Sequence, residues 1–264
     1  MRIPLFHVDA FAEQPFQGNP AAICLLDSWL DDDRLRKVAA ENNLSATAFV
    51  VSGKSGYELR WFTPLCEVRL CGHATLAAAH ILLNQQHVPH DFVQFATRFA
   101  GTLFVRKETE HLVMDFPALT TKKLPNSPSG LAEALRLPAP PVESLEATDA
   151  YIVVLGTGDS VRQINPDFAL LENLHPFVVA ATARGSDADF VSRYFAPSYG
   201  VPEDPVTGSL HCALAPYWAQ RLGRTNLHAR QLSQRGGELW CEVRQDRVLL
   251  KGKAVLLMEG SISV

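Results

Sequence analysis

No stretch of this sequence gathers Lys or Arg into an arm or stripe. Across 264 residues, 24 Lys and Arg stand against 28 Asp and Glu, for a formal net charge of −4. That balance offers a phosphate backbone little to bind, so nucleic acid is excluded as the expected partner. Long apolar runs are missing too. The longest largely apolar stretch, Ala74 to Leu83, is far short of the roughly 20 residues that a membrane span needs. The first residues, Met1-Arg2-Ile3-Pro4-Leu5-Phe6, reach Asp9 before any long apolar region ending in small residues develops. They read as a strand and not as a secretory leader. Cysteine is sparse and odd in number: Cys24, Cys66, Cys71, Cys212 and Cys241. A chain of this length needs no staples, and the set reads as reduced thiols in a cytoplasmic protein.

Cofactor motifs are also lacking. Gly156-Thr157-Gly158 has no third glycine in dinucleotide spacing, and no Lys-Ser/Thr pair completes a P-loop. Cys66, Cys71 and His73 fit no common zinc spacing, and no second ligand pair follows. The expectation is a protein that needs neither metal nor organic cofactor.

What is present is an apolar fraction of 47%, enough for one large core or two smaller ones. Its order repeats. In the first half, Tyr57 to Phe62 is strand-like; Phe62-Thr63-Pro64, a loop and Gly72-His73 follow. The chain is then apolar on nearly every face through Leu83, which marks a buried helix. Strand-like segments come next at Phe92–Ala96, Leu103–Arg106 and Leu112–Phe116. In the second half, Asp189 to Phe195 is strand-like, and Phe195-Ala196-Pro197, a loop and Gly208-Ser209 follow. A second apolar helix runs from about Leu210 to Leu222, with a kink expected at Pro216. Strands are expected at Glu238–Arg244, Val248–Lys251 and Ala254–Met258. The two halves read as a duplication with a small loop insertion; the plainer alternative is that any α+β protein contains strand–loop–helix units. Asp31, Asp32 and Asp33 open a helix that reaches about Ala40, with Leu35, Val38 and Ala39 as its apolar face. The stretch from about Pro117 to Pro141, rich in Pro, Ser and Lys, reads as a linker around a short helical piece near Leu131–Leu137. The lobes are therefore residues 1–117 and 118–264, with a last strand able to cross back to the first lobe.

Three loops carry the candidate chemistry: Phe16-Gln17-Gly18-Asn19-Pro20, Cys71-Gly72-His73-Ala74-Thr75 and Glu203-Asp204-Pro205-Val206-Thr207-Gly208-Ser209. The latter two lie at the mouths of the apolar helices, where unpaired N–H groups and partial positive charge favour an anion. His73 and Asp204 would stand where a proton moves, since His titrates near neutrality and Asp can orient it. Read without further information, the first loop is an ordinary turn. Asp204 and Ser209 are then helix caps, and His73 is a buried polar group with a backbone partner.

These loops, together with His7-Val8-Asp9-Ala10-Phe11, Asn43-Leu44-Ser45, Phe62-Thr63-Pro64 and Arg235-Gly236-Gly237-Glu238, resemble the PhzF-like (phenazine biosynthesis-like domain) family along the whole chain and in family order. The resemblance implies an α+β, diaminopimelate-epimerase-like fold: two pseudo-symmetric lobes, each a curved sheet around a central helix, with one ligand site between them. It implies a cofactor-independent isomerase, a homodimer, acting by proton transfer on a small carboxylic acid. The family's site positions correspond to Ser45, Gly72, His73, Asp204, Gly208 and Ser209, with Asn19 nearby.

One departure bears directly on function. After Asn-Leu-Ser the family pattern has a glutamate, its proton carrier; this sequence has Ala46. Glu41 and Glu203 are close in sequence but do not occupy the matching position. The related epimerases use two thiols; Cys71 matches the first, but Pro205 stands at the second, so a two-thiol racemase is not expected. Two functions compete: an isomerase with its usual acid substituted, and a catalytically inactive binding or interaction protein that keeps the site.

Overall fold

The structure, a computed structural model, describes residues 1–53, 56–86, 88 and 90–264. The chain divides into two compact units. One comprises Met1–Asp115 with Lys251–Val264, the other Phe116–Leu250.

The first unit contains β1 (Arg2–Ala10), β2 (Asn19–Leu26), α1 (Asp32–Asn42), β3 (Ala46–Gly53), β4 (Gly56–Phe62), β5 (Glu67–Val68), α2 (Gly72–Asn84), β6 (Phe92–Thr97), β7 (Thr102–Glu108) and most of β8 (His111–Pro117). Strands β1 and β2 are antiparallel, β2 and β3 parallel, β3 and β4 antiparallel, β4 and β6 parallel, and β6 and β7 antiparallel. Each parallel pair needs a crossover, and α1 and α2 supply them. In α2, residues on every side are buried, including Leu76, Ala77, Ala78, Ile81 and Leu82. It packs against β1, β2, β3, β6 and β7 of its own unit. Full burial of each large aliphatic side chain there contributes about 1.5–3 kcal/mol. Helix α1 instead buries one face, Leu35, Val38 and Ala39, as its spacing predicts.

The second unit contains β9 (Lys122–Lys123), α3 (Leu131–Ala134), β10 (Glu143–Ala147), β11 (Ala150–Val154), α4 (Gly158–Arg162), α5 (Phe168–Glu172), β12 (Val178–Arg184), β13 (Phe190–Phe195), α6 (Gly208–Leu222), β14 (Asn226–Gln231), β15 (Gly237–Arg244) and the start of β16 (Arg247–Gly252). Pairing runs antiparallel for β10 and β11, parallel for β11 and β12, antiparallel for β12 and β13, parallel for β13 and β14, and antiparallel for β14 and β15. This is the sequence of orientations found in the first unit. Helix α6 takes the place of α2 and buries Leu210, Cys212, Leu214, Tyr217 and Trp218, with Pro216 inside it. The fold is thus two pseudo-symmetric α+β lobes, each built on a buried apolar helix.

The last strand, β17 (Ala254–Ser263), pairs antiparallel with β1 along its whole length. It is longer than the Ala254–Met258 expected, because β1 offers a partner through Arg2↔Ser263. The Pro117–Pro141 stretch is not a free linker. Leu131, Ala134 and Leu135 are buried in the second unit's apolar cluster with Val153 and Phe195, and Lys122 and Lys123 pair with β10. Composition masked this: Pro, Ser and Lys dominate the stretch. Yet three apolar residues at helical spacing suffice to give one turn a buried face.

Candidate active site

In the first unit, three chain starts converge. Strand β2 opens at Asn19, β3 opens at Ala46 directly after Ser45, and α2 opens at Gly72. Each start has a local cause. Gly18 has φ +67°, and a Cβ there would lie 2.2 Å from the Ala10 carbonyl oxygen, so only glycine fits. Buried Asp9 accepts the Phe16 N–H at 2.8 Å, and together these hold the turn that delivers Asn19. Asn43 ends α1 in the left-handed region, φ 48°, a conformation Asn tolerates better than most residues. Ser45 follows two residues later.

The Ser45 hydroxyl lies 2.7 Å from Asn19 Oδ1, 2.7 Å from the Pro20 carbonyl oxygen and 3.2 Å from His73 Nε2. Cys71 Sγ lies 3.5 Å from His73 Nδ1 and 3.8 Å from His73 Nε2. Burial of the imidazole pushes its pKa down to about 3, so His73 is neutral near pH 7. Cys71 is the N-cap of α2 in extended conformation but makes no side-chain cap. The first-turn N–H groups of α2 therefore donate no hydrogen bond to the Cys71 side chain. Ala46 is buried, 1% exposed, and pairs with Ala21 across β2; its methyl offers no proton.

In the second unit the Glu203–Ser209 loop is held from several sides. Arg193 forms a two-pronged pair with Glu203, at 2.7 and 2.8 Å, and also donates to the Ile164 carbonyl oxygen at 2.6 Å. Glu203 is committed to that pair. Asp204 donates its N–H to the Tyr194 carbonyl oxygen at 3.0 Å, and its Oδ2 accepts the Thr207 hydroxyl at 2.5 Å. Gln231, fully buried on β14, accepts the Thr207 N–H at 2.9 Å and donates to the Asp204 carbonyl oxygen at 2.6 Å. Thr207 is the N-cap of α6, and it too makes no side-chain cap, since its hydroxyl turns to Asp204. Gly208 is buried and Ser209 exposed at the first two helical positions. The N-cap position of α6 is Thr207, with Asp204 three residues before it and Ser209 inside the helix.

The structure thus gathers Asn19, Ser45 and His73 into one hydrogen-bonded cluster, with Gly72 next to it and Ala46 adjoining. Asp204, Gly208 and Ser209 lie together in the other unit. Sequence reading missed Gln231, Arg193 and Tyr194. Burial, with Asp149 and Asp204 close by, raises the Tyr194 phenol above its ordinary range. His211 was missed as well: fully buried in α6, it has Nδ1 2.7 Å from the Thr207 carbonyl oxygen, and burial lowers its pKa to about 4. Among the described residues, no group of three or more His, Cys, Asp or Glu could hold a metal ion.

Paired lobes with uncapped central helices define a class. The fold is the diaminopimelate-epimerase-like one, shared with a hydroxyproline epimerase of Agrobacterium vitis at a TM-score of 0.62 and 10% identity, over 99% of this chain and 92% of that one. Closer similarity comes from sequence. The model of the phenazine biosynthesis-like protein family, PhzC-PhzF, matches residues 8–260. An uncharacterized isomerase of Pseudomonas aeruginosa is 53% identical over 99% of both chains. A crystal structure of a PhzF-family phenazine biosynthesis protein from Enterococcus faecalis superposes at a TM-score of 0.95, with 42% identity over 100% of both chains. The chain belongs to the phenazine biosynthesis-like (PhzF) family, in which relatives bear the name isomerase.

Proposed function

We propose that this protein is a cofactor-independent isomerase that moves a proton on a small carboxylic acid. The observation that carries this reading is the Asn19–Ser45–His73 cluster beside the uncapped end of α2. An uncapped helix start favours a carboxylate through its N–H groups and its dipole. The cluster beside it provides a neutral imidazole and a thiol for proton handling. Substrates of this kind carry a hydrogen on carbon near the carboxyl group, which is acidified when the resulting charge can spread into it.

A second reading, a binding or interaction protein without catalysis, draws on Ala46. Loss of a general acid or base typically lowers rate ~10²–10⁴-fold, and a methyl cannot replace it. The two readings separate experimentally. Small hydroxylated and amino carboxylic acids are screened by thermal shift, because a specific ligand raises stability by mass action. Each binder is then incubated in deuterium oxide with the protein and followed by NMR. The isomerase reading expects loss of a carbon-bound proton signal that depends on enzyme concentration. Binding without exchange for every ligand overturns it in favour of the binding protein.

A further inference from the structure

The turn that delivers Asn19 to the cluster has Phe11, φ 58°, Phe16, φ 70°, and Gly18, φ 67°, in the left-handed region. That region is unfavourable for a residue with a Cβ, which crowds the following carbonyl oxygen. Gly18 has no Cβ. At Phe11 a packed ring offsets the strain: it is 1% exposed and lies so close to Gly252 that no Cβ would fit there. The Phe16 ring is 71% exposed, so burial does not offset its strain. Among the described residues, the other non-glycine positions with positive φ are Asn43, Thr109, Arg136, Thr148 and Gln245. All of these are polar, and all are exposed. Phe16 alone joins a left-handed backbone to a large apolar side chain in water.

The conformation is imposed from outside the residue. The Phe16 N–H donates to Asp9 Oδ2 at 2.8 Å, and Asp9 is fully buried on β1. A turn of this geometry would form more readily with Gly, Asn or Asp at position 16. Strain that the surrounding structure over-determines clusters at ligand clamps and active sites. A local rule broken without a gain in stability has its compensation in function. The position fits such a role. Three residues, at most about 10 Å of chain, separate Phe16 from Asn19, whose Oδ1 lies 2.7 Å from the Ser45 hydroxyl. Asn19, Ser45 and His73 supply polar contacts, and a phenyl ring three residues away supplies apolar surface for a ligand to cover.

We infer that Phe16 is a specificity-determining residue of this site. Its ring covers the apolar part of the bound acid, and the ligand class is a small carboxylic acid with an apolar tail. The inference rests on the cluster being a ligand site, which the isomerase and binding-protein readings share. Contact between ring and tail removes apolar surface of both from water, and this is the source of the added affinity. The left-handed backbone held by Asp9 keeps the ring out of the protein's own core and open to the ligand.

The test uses the full chain and three straight-chain acids of growing tail: 2-hydroxypropanoate, 2-hydroxybutanoate and 2-hydroxyhexanoate. Their Kd values are read by calorimetry. In the wild type each added methylene should tighten binding, by up to about 4-fold where it is fully covered. In Phe16→Asn the affinity for 2-hydroxypropanoate should be kept, while the gain per methylene should largely disappear. Phe16→Leu, which retains apolar surface, should retain most of the gain. A purely structural role would instead weaken all three acids alike. Thermal unfolding gives a second readout. Because Asn tolerates the left-handed region, Phe16→Asn should melt at the wild-type temperature or about 2–4 °C above it. The proposal is overturned if Phe16→Asn keeps the wild-type gain per methylene or weakens all three acids equally. A Tm that falls by more than a few degrees also overturns it, by making the ring a support of the fold. Unchanged affinities with an altered oligomeric state in size-exclusion chromatography would assign the ring to an interface and overturn it as well. If the wild type binds the acids without regard to tail length, Phe16 loses this role while the site reading stands. If the wild type binds none of them, the site reading falls and this proposal with it.

Discussion

Burial of His73 should make folding stability depend on pH, alongside His80 and His211, each lowered by burial to about 4. The ordinary histidine pKa of 6.5 is lowered to about 3 by desolvation, and His73 is 8% exposed. Below pH 6.5 the unfolded chain binds a proton that the folded chain refuses. Stability is therefore complete above the ordinary value and is lost progressively as pH falls toward the folded one. Between about pH 7.5 and about pH 5, linkage for such a shift amounts to about 2 kcal/mol. The result depends little on the folded pKa so long as that lies well below 5. His211, lowered to about 4 and fully buried, adds a contribution of the same sign and similar size. The carboxylates lowered by Arg partners, Asp32 and Asp167, change ionisation only near and below their ordinary value of 3.8, so they are nearly silent in this window. The assay is urea unfolding at the two pH values, for the wild type and for His73→Asn. The variant will be less stable throughout, but its stability should fall less on acidification, by about 2 kcal/mol. An unchanged pH dependence would refute the reasoning, because it would mean that His73 takes up its proton in the folded state as readily as in the unfolded one.

Other outcomes follow from single contacts. Gln231→Ala strands the buried Thr207 N–H that it now satisfies and should cost about 1–3 kcal/mol, measured by chemical denaturation, while loosening the Asp204 loop. Arg193→Met leaves the Glu203 carboxylate, 19% exposed, without its partner and should cost about 3–5 kcal/mol; adding Glu203→Gln should recover part of that loss. Leu76→Ala, at a position fully buried in α2, should cost about 2–5 kcal/mol, with the m-value of urea unfolding unchanged. Ala46→Glu places a carboxyl group at a position 1% exposed, where desolvation raises its pKa. If position 46 is where an acid is missing, deuterium exchange on bound carboxylic acids should rise; equal exchange in both proteins refutes that role.

The parts legible in the sequence were those with strong, local signals. Helices α2 and α6 stand out because they are apolar all round, and the strands after each one because they alternate or cluster β-branched and aromatic residues. Helix α1 announced itself through Asp31, whose side chain accepts the Arg34 N–H at 2.9 Å. The region from Glu143 to Arg184 was left largely unread. Its helices α4 and α5 have five residues each, too short for a period to show. Its strands are marked by small residues, as in Val178–Arg184, where Ala180, Ala181 and Ala183 are fully buried. At the site, residue types were legible but contacts were not. Ser45 and His73 are 28 positions apart, and Thr207 and Gln231 are 24 apart. Such pairings are set by sheet register, which no local pattern contains. Gln231 in particular looks like any outward strand residue until β14 is seen to bring it beneath the Asp204 loop.

The helix starts themselves separate structural from functional demands. Helices α1, α4 and α5 are each capped by a side chain, from Asp31, Thr157 and Asp167. Such a cap contributes about 1 kcal/mol. The two long buried helices forgo it. At α2 the N-cap is Cys71, whose sulfur turns to His73. At α6 it is Thr207, a residue fully capable of capping, whose hydroxyl turns instead to Asp204. At α6 the absence of a cap is not a shortage of capping chemistry, because Thr207 could supply it. Where local rules are broken in matching places without a gain in stability, the compensation is to be sought in function. In the first unit the N-cap sulfur lies against His73, and in the second the N-cap hydroxyl donates to Asp204.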